Sequence, residues 1–248
     1  ELRLRSRKIA DIKYAFSANN ELLLGGFYTS PVRFNFEGVF TFRFNNSIHP
    51  DYRKEVFLAE NIVSTFKHKK EIKEKGYGLD HFKAKDLLLD TLGNQYLIAE
   101  HHFIEKHNGE SIHDRKGIVV FKFTKSGSYV WGAPVLLEQK EKSKLTKWTS
   151  SAPFMINNNF HFMYNNTGNE KASKIDHIYG ANSLYGTNIV SFNQSGVLQN
   201  QPFFGMHEGL KDRFAFSPKI ILQEEQDVYI LTENAEKDNF RIVKISFY

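Results

Sequence analysis

The chain has 248 residues, of which 41% are hydrophobic and 25% are charged, and these fractions are typical of a globular protein with a sizeable core. It contains no cysteine, which excludes disulfides, thiol nucleophiles and cysteine zinc ligands. The formal net charge of +5 allows an anionic partner, but lysine and arginine are spread along the chain, so we expect no nucleic-acid partner.

The first predicted repeat unit, residues 9–50, has apolar residues that alternate with polar ones, as in half-buried strands. One face of its strands carries large apolar side chains, which are Ile12, Tyr14 and Phe16 in one strand and Phe40, Phe42 and Phe44 in another. Gly25 and Gly26 lie inside a strand pattern, and they predict a bulge or a close backbone approach.

Residues 51–75 break the alternation and predict one inserted amphipathic helix. Apolar residues recur there at helical spacing, at Val56, Ala59, Val63 and Phe66, and Gly76 marks the end. The basic end of this helix holds the local excess of positive charge, and it is a candidate interaction surface formed by Lys67, Lys69, Lys70, Lys73 and Lys75. The alternative is a solvated helix end that has no partner.

Residues 83–139 predict a second unit, a four-stranded antiparallel meander. Its four short apolar runs are residues 87–89, 96–103, 117–124 and 129–137, and a polar loop separates the second run from the third. The runs are rich in β-branched and aromatic residues and are bounded by Gly, Asn, Asp and Ser. The same pattern recurs in residues 148–205 and 213–248, and the last unit lacks its fourth strand.

Repeated meanders without crossover helices predict an all-β chain, a β-propeller built of four-stranded antiparallel sheets. We expect about four blades in this chain. Because an incomplete last blade exposes unpaired backbone groups, we interpret residues 1–248 as a single propeller domain or as the C-terminal part of a larger ring. The alternatives are a closed ring, in which Leu2 and Leu4 complete the last blade, and a β-sandwich.

Four segments, ELLLGGFYTS, EGVFTFRFN, DLLLDTLGNQYLIAEHHF and FRIVKISFY, occur in this order, with a lysine-rich stretch between the second and the third. In this arrangement residues 10–248 resemble a family of uncharacterised exported bacterial proteins with a β-propeller-like C-terminal part. The resemblance implies a periplasmic, outer-membrane-associated or extracellular location and an upstream part of the same polypeptide. It implies no catalytic residue.

The strongest chemical candidate is the cluster of Glu100, His101 and His102, because imidazole and carboxylate groups are common zinc ligands. On a strand, however, Glu100 and His102 face one side and His101 faces the other, so we predict no metal site and no cofactor. No serine lies in a nucleophile motif and no loop has phosphate-binding spacing, so no catalytic residue is assigned. Glycan cleavage needs two carboxylates, and the strand-associated candidates are Glu100 with Asp227 or Glu233.

These observations favour a non-catalytic structural or protein-interaction module of a bacterial cell-envelope or secreted assembly. Its partner would be another protein or the upstream part of the same polypeptide. The alternatives are a glycan-binding or glycan-cleaving propeller, and a surface for anionic lipid or nucleic acid. No apolar run approaches the roughly 20 residues that span a bilayer, so we predict no transmembrane segment.

Overall fold

The computed structural model describes residues 4, 7–30, 35–45, 47, 49–107, 109–142, 151–166, 186–204, 214–234 and 239–247. The strands in the first half of the chain are β1 (Lys8–Phe16), β2 (Leu22–Thr29), β3 (Gly38–Phe44), β4 (Tyr52–Phe57), β5 (Phe82–Leu89), β6 (Gln95–His101), β7 (Phe103–His107) and β8 (Glu110–Phe123). The later strands are β9 (Tyr129–Lys142), β10 (Ser151–Ile156), β11 (Asn159–Asn166), β12 (Gly186–Phe192), β13 (Leu198–Phe204), β14 (Phe214–Glu224), β15 (Asp227–Asn234) and β16 (Asn239–Ser246). Two short helices, α1 (Glu60–Phe66) and α2 (Lys69–Lys75), follow β4 in the chain.

The strands form successive antiparallel sheets. Strands β1 to β4 pair in chain order, as do β10 to β13, and β14 to β16 form a three-stranded sheet. Strands β5, β6, β8 and β9 form a further meander, to which β7 adds beside the first part of β8. This pairing of chain neighbours is the strand order of a propeller blade. The predicted fold class, all-β with four-stranded antiparallel meanders of the β-propeller type, is confirmed.

The chain divides into two compact units. The first unit contains Glu1–His102 and Lys116–Leu136, and the second contains Phe103–Arg115 and Leu137–Tyr248. Within the described part of the chain, no helix has the length and apolar character needed to cross a membrane.

The main core of the first unit is built from both of its sheets and from α1. Its buried side chains are Leu23, Phe27, Val39, Leu58, Ile62, Val63, Leu79, Phe82, Ala84, Leu87, Leu97, Ala99, Val119, Phe121 and Phe123. Strand β1 lies against β5, where the Asp11 carboxylate accepts a hydrogen bond from the backbone N–H of Ala84 at 2.7 Å. The first strands of the two sheets are therefore held side by side.

A second apolar cluster covers the other face of the first sheet. Phe40 and Phe42 are buried in it, and Phe44 packs against it, so the predicted shared face of β3 is confirmed. Leu4 is buried in the same cluster, which places it on the first sheet. Leu2, its predicted companion in the alternative closed ring, lies outside the described residues.

The second unit has its own core, in which strands β10, β11, β12, β15 and β16 take part. The buried members are Ala152, Phe154, Ile156, Met163, Ile189, Val228, Ile230 and Ile245. His161 is buried at this core, where its ring stacks on Phe154 at 5.3 Å and contacts Phe247 at 5.1 Å. Its Nδ1 lies 2.7 Å from the Ser191 hydroxyl oxygen.

The predicted helix over residues 51–75 was wrong in its first third and in its continuity. Strand β4 occupies Tyr52–Phe57, because this segment pairs with the open edge of β3 from Gly38↔Phe57 to Arg43↔Tyr52. The helical segment then divides in two, because His68 is extended and forms a capping box with Glu71 that starts α2. Cross-strand pairing and a local cap thus override the helical spacing of the apolar residues.

The polar loop predicted between the second and third runs of residues 83–139 is a hairpin instead. Strand β7 pairs with the first part of β8, from Phe103↔Asp114 to His107↔Glu110. The side chains of residues 103–106 in β7 are exposed. This hairpin therefore lacks a buried apolar face, which is the feature that predicted the other strands.

Candidate functional site

The predicted cluster of Glu100, His101 and His102 divides between the two faces of the sheet, as the alternation of strand residues predicted. His101 is paired with Phe82 across the strands, and the two rings are 5.5 Å apart, so its side chain faces the main core. The Oε1 atom of Glu100 lies 3.3 Å from the Nζ atom of Lys85. Among the described residues there is no group of three His, Cys, Asp or Glu side chains that would hold a metal ion.

The five lysines of the predicted basic surface differ in exposure. Lys67 is only 6% exposed, and its Nζ lies 2.7 Å from the Asp80 carboxylate. The other four are exposed on α2, namely Lys69, Lys70, Lys73 and Lys75. Two of these four form ion pairs with glutamates one turn away, at 3.7 and 3.8 Å. The helix therefore carries less net positive charge than its lysines alone indicate.

The acids nominated for glycan cleavage are distributed over both units. Asp227 lies in the second unit, where Lys244 Nζ is 2.7 Å from its carboxylate and the Ser246 hydroxyl donates to it at 2.7 Å. The hydrogen bond from Lys244, and to a lesser extent that from Ser246, lowers the pKa of Asp227 below its ordinary value. A glycosidase acid needs a raised pKa, so Asp227 does not fit that role. The side chain of Glu233 lies outside the described residues.

A cleft of about 320 Å³ lies in the first unit, where hairpin loops from its two sheets come side by side. Its walls are the loop of residues 17–21, the loop of residues 90–94 and the strand ends beside them. Arg43 from β3 and Lys125 from the loop of residues 124–128 complete the lining. We call this feature the loop cleft.

The loops that form the cleft share one hydrogen-bonding pattern. Ser17 Oγ accepts hydrogen bonds from two N–H groups of its own loop at 3.2 Å, and Asp90 Oδ1 accepts two in its loop at 2.8 and 3.0 Å. The fourth position of each loop is in the left-handed conformation, with φ of 60° at Asn20, 81° at Gly93 and 78° at Gly127. These self-capped hairpin loops have a defined shape before any ligand arrives.

Arg43 joins the loops to each other. Its Nη2 donates to the Glu21 carboxylate, and its Nη1 donates to the backbone oxygen of Lys125 at 3.3 Å. The hydrogen bond from Arg43 is the main reason that the pKa of Glu21 is lowered. Glu21 therefore stays ionised, and the pair links the first sheet to the loop of the second.

A buried polar contact links the same two sheets close to the cleft. The Thr41 hydroxyl donates to the side-chain oxygen of Gln95 at 2.5 Å, and the Gln95 amide nitrogen donates to the Tyr52 hydroxyl. Thr41 and Gln95 are almost fully buried. Because a buried polar group is costly when it lacks a partner, this contact favours one arrangement of the two sheets.

Apolar side chains are exposed at the rim of the cleft. Phe16 lines the cleft and is 62% exposed, and Leu92 beside it is 61% exposed. Tyr14 lies two residues before Phe16 on the same face of β1 and is 69% exposed, with its ring 6.1 Å from the Phe16 ring in an edge-to-face arrangement. Exposed aromatic residues therefore lie near the hydroxyl, amide and charged groups of the cleft.

The turns of this region follow from the sequence, but the site they form does not. Ser126 and Gly127 lie between two predicted apolar runs and form a turn in the structure, as residues 17–20 do. The missed signal is the repeated order of a hydrogen-bonding residue, two variable residues and then Gly or Asn, which occurs in residues 17–21, 90–94, 124–128 and 193–197. Only the packing of β1 against β5 brings the first two of these loops together.

No family model matches the chain, and no curated protein matches it. Among solved structures, it is similar to the GH43_1 enzyme from Xanthomonas citri complexed with xylotriose, with a TM-score of 0.35 and 11% identity over 98% of this chain and 71% of that chain. The structure of that enzyme with xylose has a TM-score of 0.34 and 12% identity over 96% and 69% of the chains. The endo-arabinase from Bacteroides thetaiotaomicron VPI-5482 has a TM-score of 0.27 and 11% identity over 100% and 95%. Scores this low support no conclusion about function.

Proposed function

We propose that this chain binds an oligosaccharide at the loop cleft, without cleaving it there. The observation that carries this proposal is the lining of the cleft, which combines polar loop residues with Phe16, an aromatic residue that is 62% exposed. A sugar ring presents C–H groups on its face and hydroxyls at its edge. An aromatic ring covers such a face, and neighbouring hydroxyl and amide groups bind the edge.

The dimensions and polar groups of the cleft suit such a ligand. Its volume of about 320 Å³ is at the lower end of the range for small-molecule sites, which is about 300 to 1,000 Å³. Ser17, Asn19 and Thr91 line it and provide hydroxyl and amide groups. A second aromatic ring, Tyr14, extends the apolar surface beyond Phe16, so that an oligosaccharide longer than the cleft would remain in contact.

Hydrogen bonds within the loops fix their conformation in the absence of a ligand. Each loop satisfies its own backbone groups, as Ser17 and Asp90 show, and Arg43 holds the two sheets together. A ligand that enters a preformed site does not have to order mobile loops, so less of its interaction energy is lost. Exposed rings on a rigid base are suited to recognition of flexible polymers.

The carboxylates of the cleft are suited to structure and not to hydrolysis. Arg43 holds Glu21 in its ionised form, whereas a general acid must be protonated. Asp90 accepts hydrogen bonds from the backbone N–H groups of Leu92 and Asn94 and from the Asn94 side chain, which occupies both of its oxygens. Glu21 therefore does not fit the role of a general acid, and both oxygens of Asp90 accept hydrogen bonds within its own loop.

Titration calorimetry with a panel of plant and bacterial cell-wall oligosaccharides tests the proposal. We expect Phe16→Ala to weaken binding about tenfold, which corresponds to about 1.4 kcal/mol for the lost ring contact. Phe57→Ala is the matched control, because Phe57 is a similarly exposed ring on β4 that does not line the cleft. Equal losses in the two variants, or no binding by the unaltered chain, would contradict the proposal.

The interpretation as a protein-interaction module in an exported assembly stays a prediction. Its candidate surface is α2, where the exposed lysines are partly neutralised by Glu71 and Glu74. Pull-down with candidate partner proteins, before and after Lys69→Glu and Lys73→Glu, would test it. The cleft and this helix are separate features of the first unit, so the two functions do not exclude one another.

A further inference from the structure

The charged side chains that line the loop cleft are balanced in number. Glu21 and Asp90 are acidic, and Arg43 and Lys125 are basic. At neutral pH the two acids and the two bases cancel, so the described lining of the cleft has no net charge. A ligand in the cleft therefore meets no excess charge of either sign.

Both bases of the lining act on Glu21. The Glu21 and Arg43 side chains are 10% and 15% exposed, and they form an ion pair. The hydrogen bond from Arg43 is the main cause of the lowered pKa of Glu21, and the Ser17 hydroxyl and the positive charge of Lys125 lower it further. Glu21 is therefore ionised at neutral pH, and two cations of the same cleft offset its charge.

The second acid, Asp90, interacts with its own loop and with a lysine outside the lining. Its carboxylate accepts hydrogen bonds from the backbone N–H groups of Leu92 and Asn94 and from the Asn94 side chain. Lys122 of β8 is 4% exposed. Burial lowers the pKa of Lys122, and the charge of Asp90 acts in the opposite direction, so these two groups interact. The charge of Asp90 is therefore also offset by the protein.

We infer that the loop cleft selects an uncharged oligosaccharide over both acidic and basic ones. This inference rests on the proposed function and specifies its ligand. A charged group loses part of its hydration when it enters a cleft, and this cost is recovered only where an opposite charge is available. Each charged side chain of the lining already interacts with an opposite charge of the protein. A charged ligand would have to compete with these contacts.

The uncharged groups of the lining suit sugar hydroxyls. Ser17, Asn19 and Thr91 bring hydroxyl and amide groups to the cleft. A hydroxyl both donates and accepts hydrogen bonds, so a sugar exchanges its bonds to water for bonds to the loops at little cost. The preference over charged sugars should be moderate, because Lys125 is exposed and a charged group beside it would keep part of its hydration.

Calorimetry with the full chain and four trisaccharides of the same ring configuration and linkage tests the inference. Cellotriose and triacetylchitotriose are uncharged, and cellotriose oxidised to glucuronic acid units is acidic. Chitotriose is basic at about pH 6, where its amines are protonated. We expect the two uncharged probes to bind about fivefold more tightly than the acidic and the basic probe. Added salt should leave this preference in place, because it comes from lost hydration and not from long-range attraction.

A change in the charge of the lining should create a preference that the unaltered chain lacks. Lys125→Met keeps the aliphatic stem and removes one positive charge, so the acids of the lining then outnumber the bases. We expect the affinity for chitotriose to rise about fivefold relative to cellotriose, and that for the acidic probe to fall. This shift should become smaller when the salt concentration is raised from about 50 mM to about 300 mM.

Lys54→Met is the matched control, because it removes an exposed lysine of the first sheet that does not line the cleft. It should leave all four affinities unchanged. A shift in Lys54→Met as large as that in Lys125→Met would overturn the inference, because the total charge of the chain would then be its cause. Thermal unfolding of both variants by circular dichroism shows whether they keep the fold.

The remaining outcomes separate the inference from the proposed function. Binding of a charged probe as tight as that of the uncharged ones would overturn the inference and leave the proposed function intact. Absence of binding by both uncharged probes, while another oligosaccharide of the wider panel binds, would have the same consequence. If no oligosaccharide of the panel binds, the proposed function fails and the inference fails with it.

Discussion

The two units of the chain differ in whether a largely buried ionisable group keeps its charge. In the first unit, Arg43 and Glu21 keep their charges by pairing with each other at the wall of a cleft. In the second unit, His161 packs against the Phe154 and Phe247 rings, and burial lowers its pKa to about 4. An opposite charge stabilises the charged form of a partly buried group, whereas packing against aromatic rings favours the neutral form.

Two loops with the same hydrogen-bonding pattern also differ in their surroundings. Residues 90–94 and 193–197 have the same backbone hydrogen bonds and the same self-capping side chain, Asp90 in one and Asn193 in the other. The first loop lines a cleft with Arg43 and Lys125, while Asn193 is exposed. A rigid loop becomes a candidate site through the residues that other strands bring to it.

The largest expected effect concerns the buried histidine. As the pH falls below 6.5, the unfolded chain binds a proton at His161, but the folded chain does not until about pH 4. Stability should therefore fall by about 3 kcal/mol over this window and should not depend on His161 above it. Urea unfolding as a function of pH measures the slope, and His161→Phe should reduce it. An unchanged slope in that variant would show that other groups cause it.

The paired charges of the first unit predict a smaller loss. Arg43→Met leaves Glu21 without its partner, and because both side chains keep some exposure we expect a loss of about 2 kcal/mol in the free energy of unfolding. The double variant Arg43→Met with Glu21→Gln should recover more than half of that loss. Urea unfolding at pH 7 gives the values, and a double variant no more stable than Arg43→Met would contradict the pairing.

The smallest expected effect is the difference between the two loops. Asp90→Ala should destabilise the chain about 1 kcal/mol more than Asn193→Ala, because Asp90 is buried and also offsets the charge of Lys122. Asp90→Asn, which keeps the acceptor oxygen and removes the charge, should fall between them. Matched thermal unfolding of the three variants checks the order, and equal losses would show that the surroundings of the loop do not matter.

Much of the fold was predictable because its hairpins join strands that are close in the sequence. Alternation placed Phe40, Phe42 and Phe44 on one face of β3, and the turn residues marked the hairpins. The Gly25-Gly26 pair correctly indicated a close approach, since the Asp11 backbone lies against Gly26 beside a bulge in β1. These features depend on residues that are neighbours in the chain or across one hairpin.

Features that depend on distant residues were not predictable in the same way. The segment Tyr52–Phe57 has helical spacing, but the open edge of β3 makes it a strand. The loop cleft unites residues 17–21 with residues 90–94 only because β1 packs against β5. The ion pair of the buried Lys67 with Asp80 likewise depends on a tertiary contact that the sequence pattern does not show.

Hydrogen exchange measured by mass spectrometry, with and without the cell-wall oligosaccharide that binds most tightly in calorimetry, tests the proposed binding site most directly. We expect slower exchange in residues 17–21, 90–94 and 124–128 when the oligosaccharide is bound, because these loops contact it. Residues 193–197, which have the same loop hydrogen bonds without the cleft, should exchange at an unchanged rate. Equal protection of all four loops, or protection confined to residues 193–197, would contradict the assignment of the cleft as the binding site.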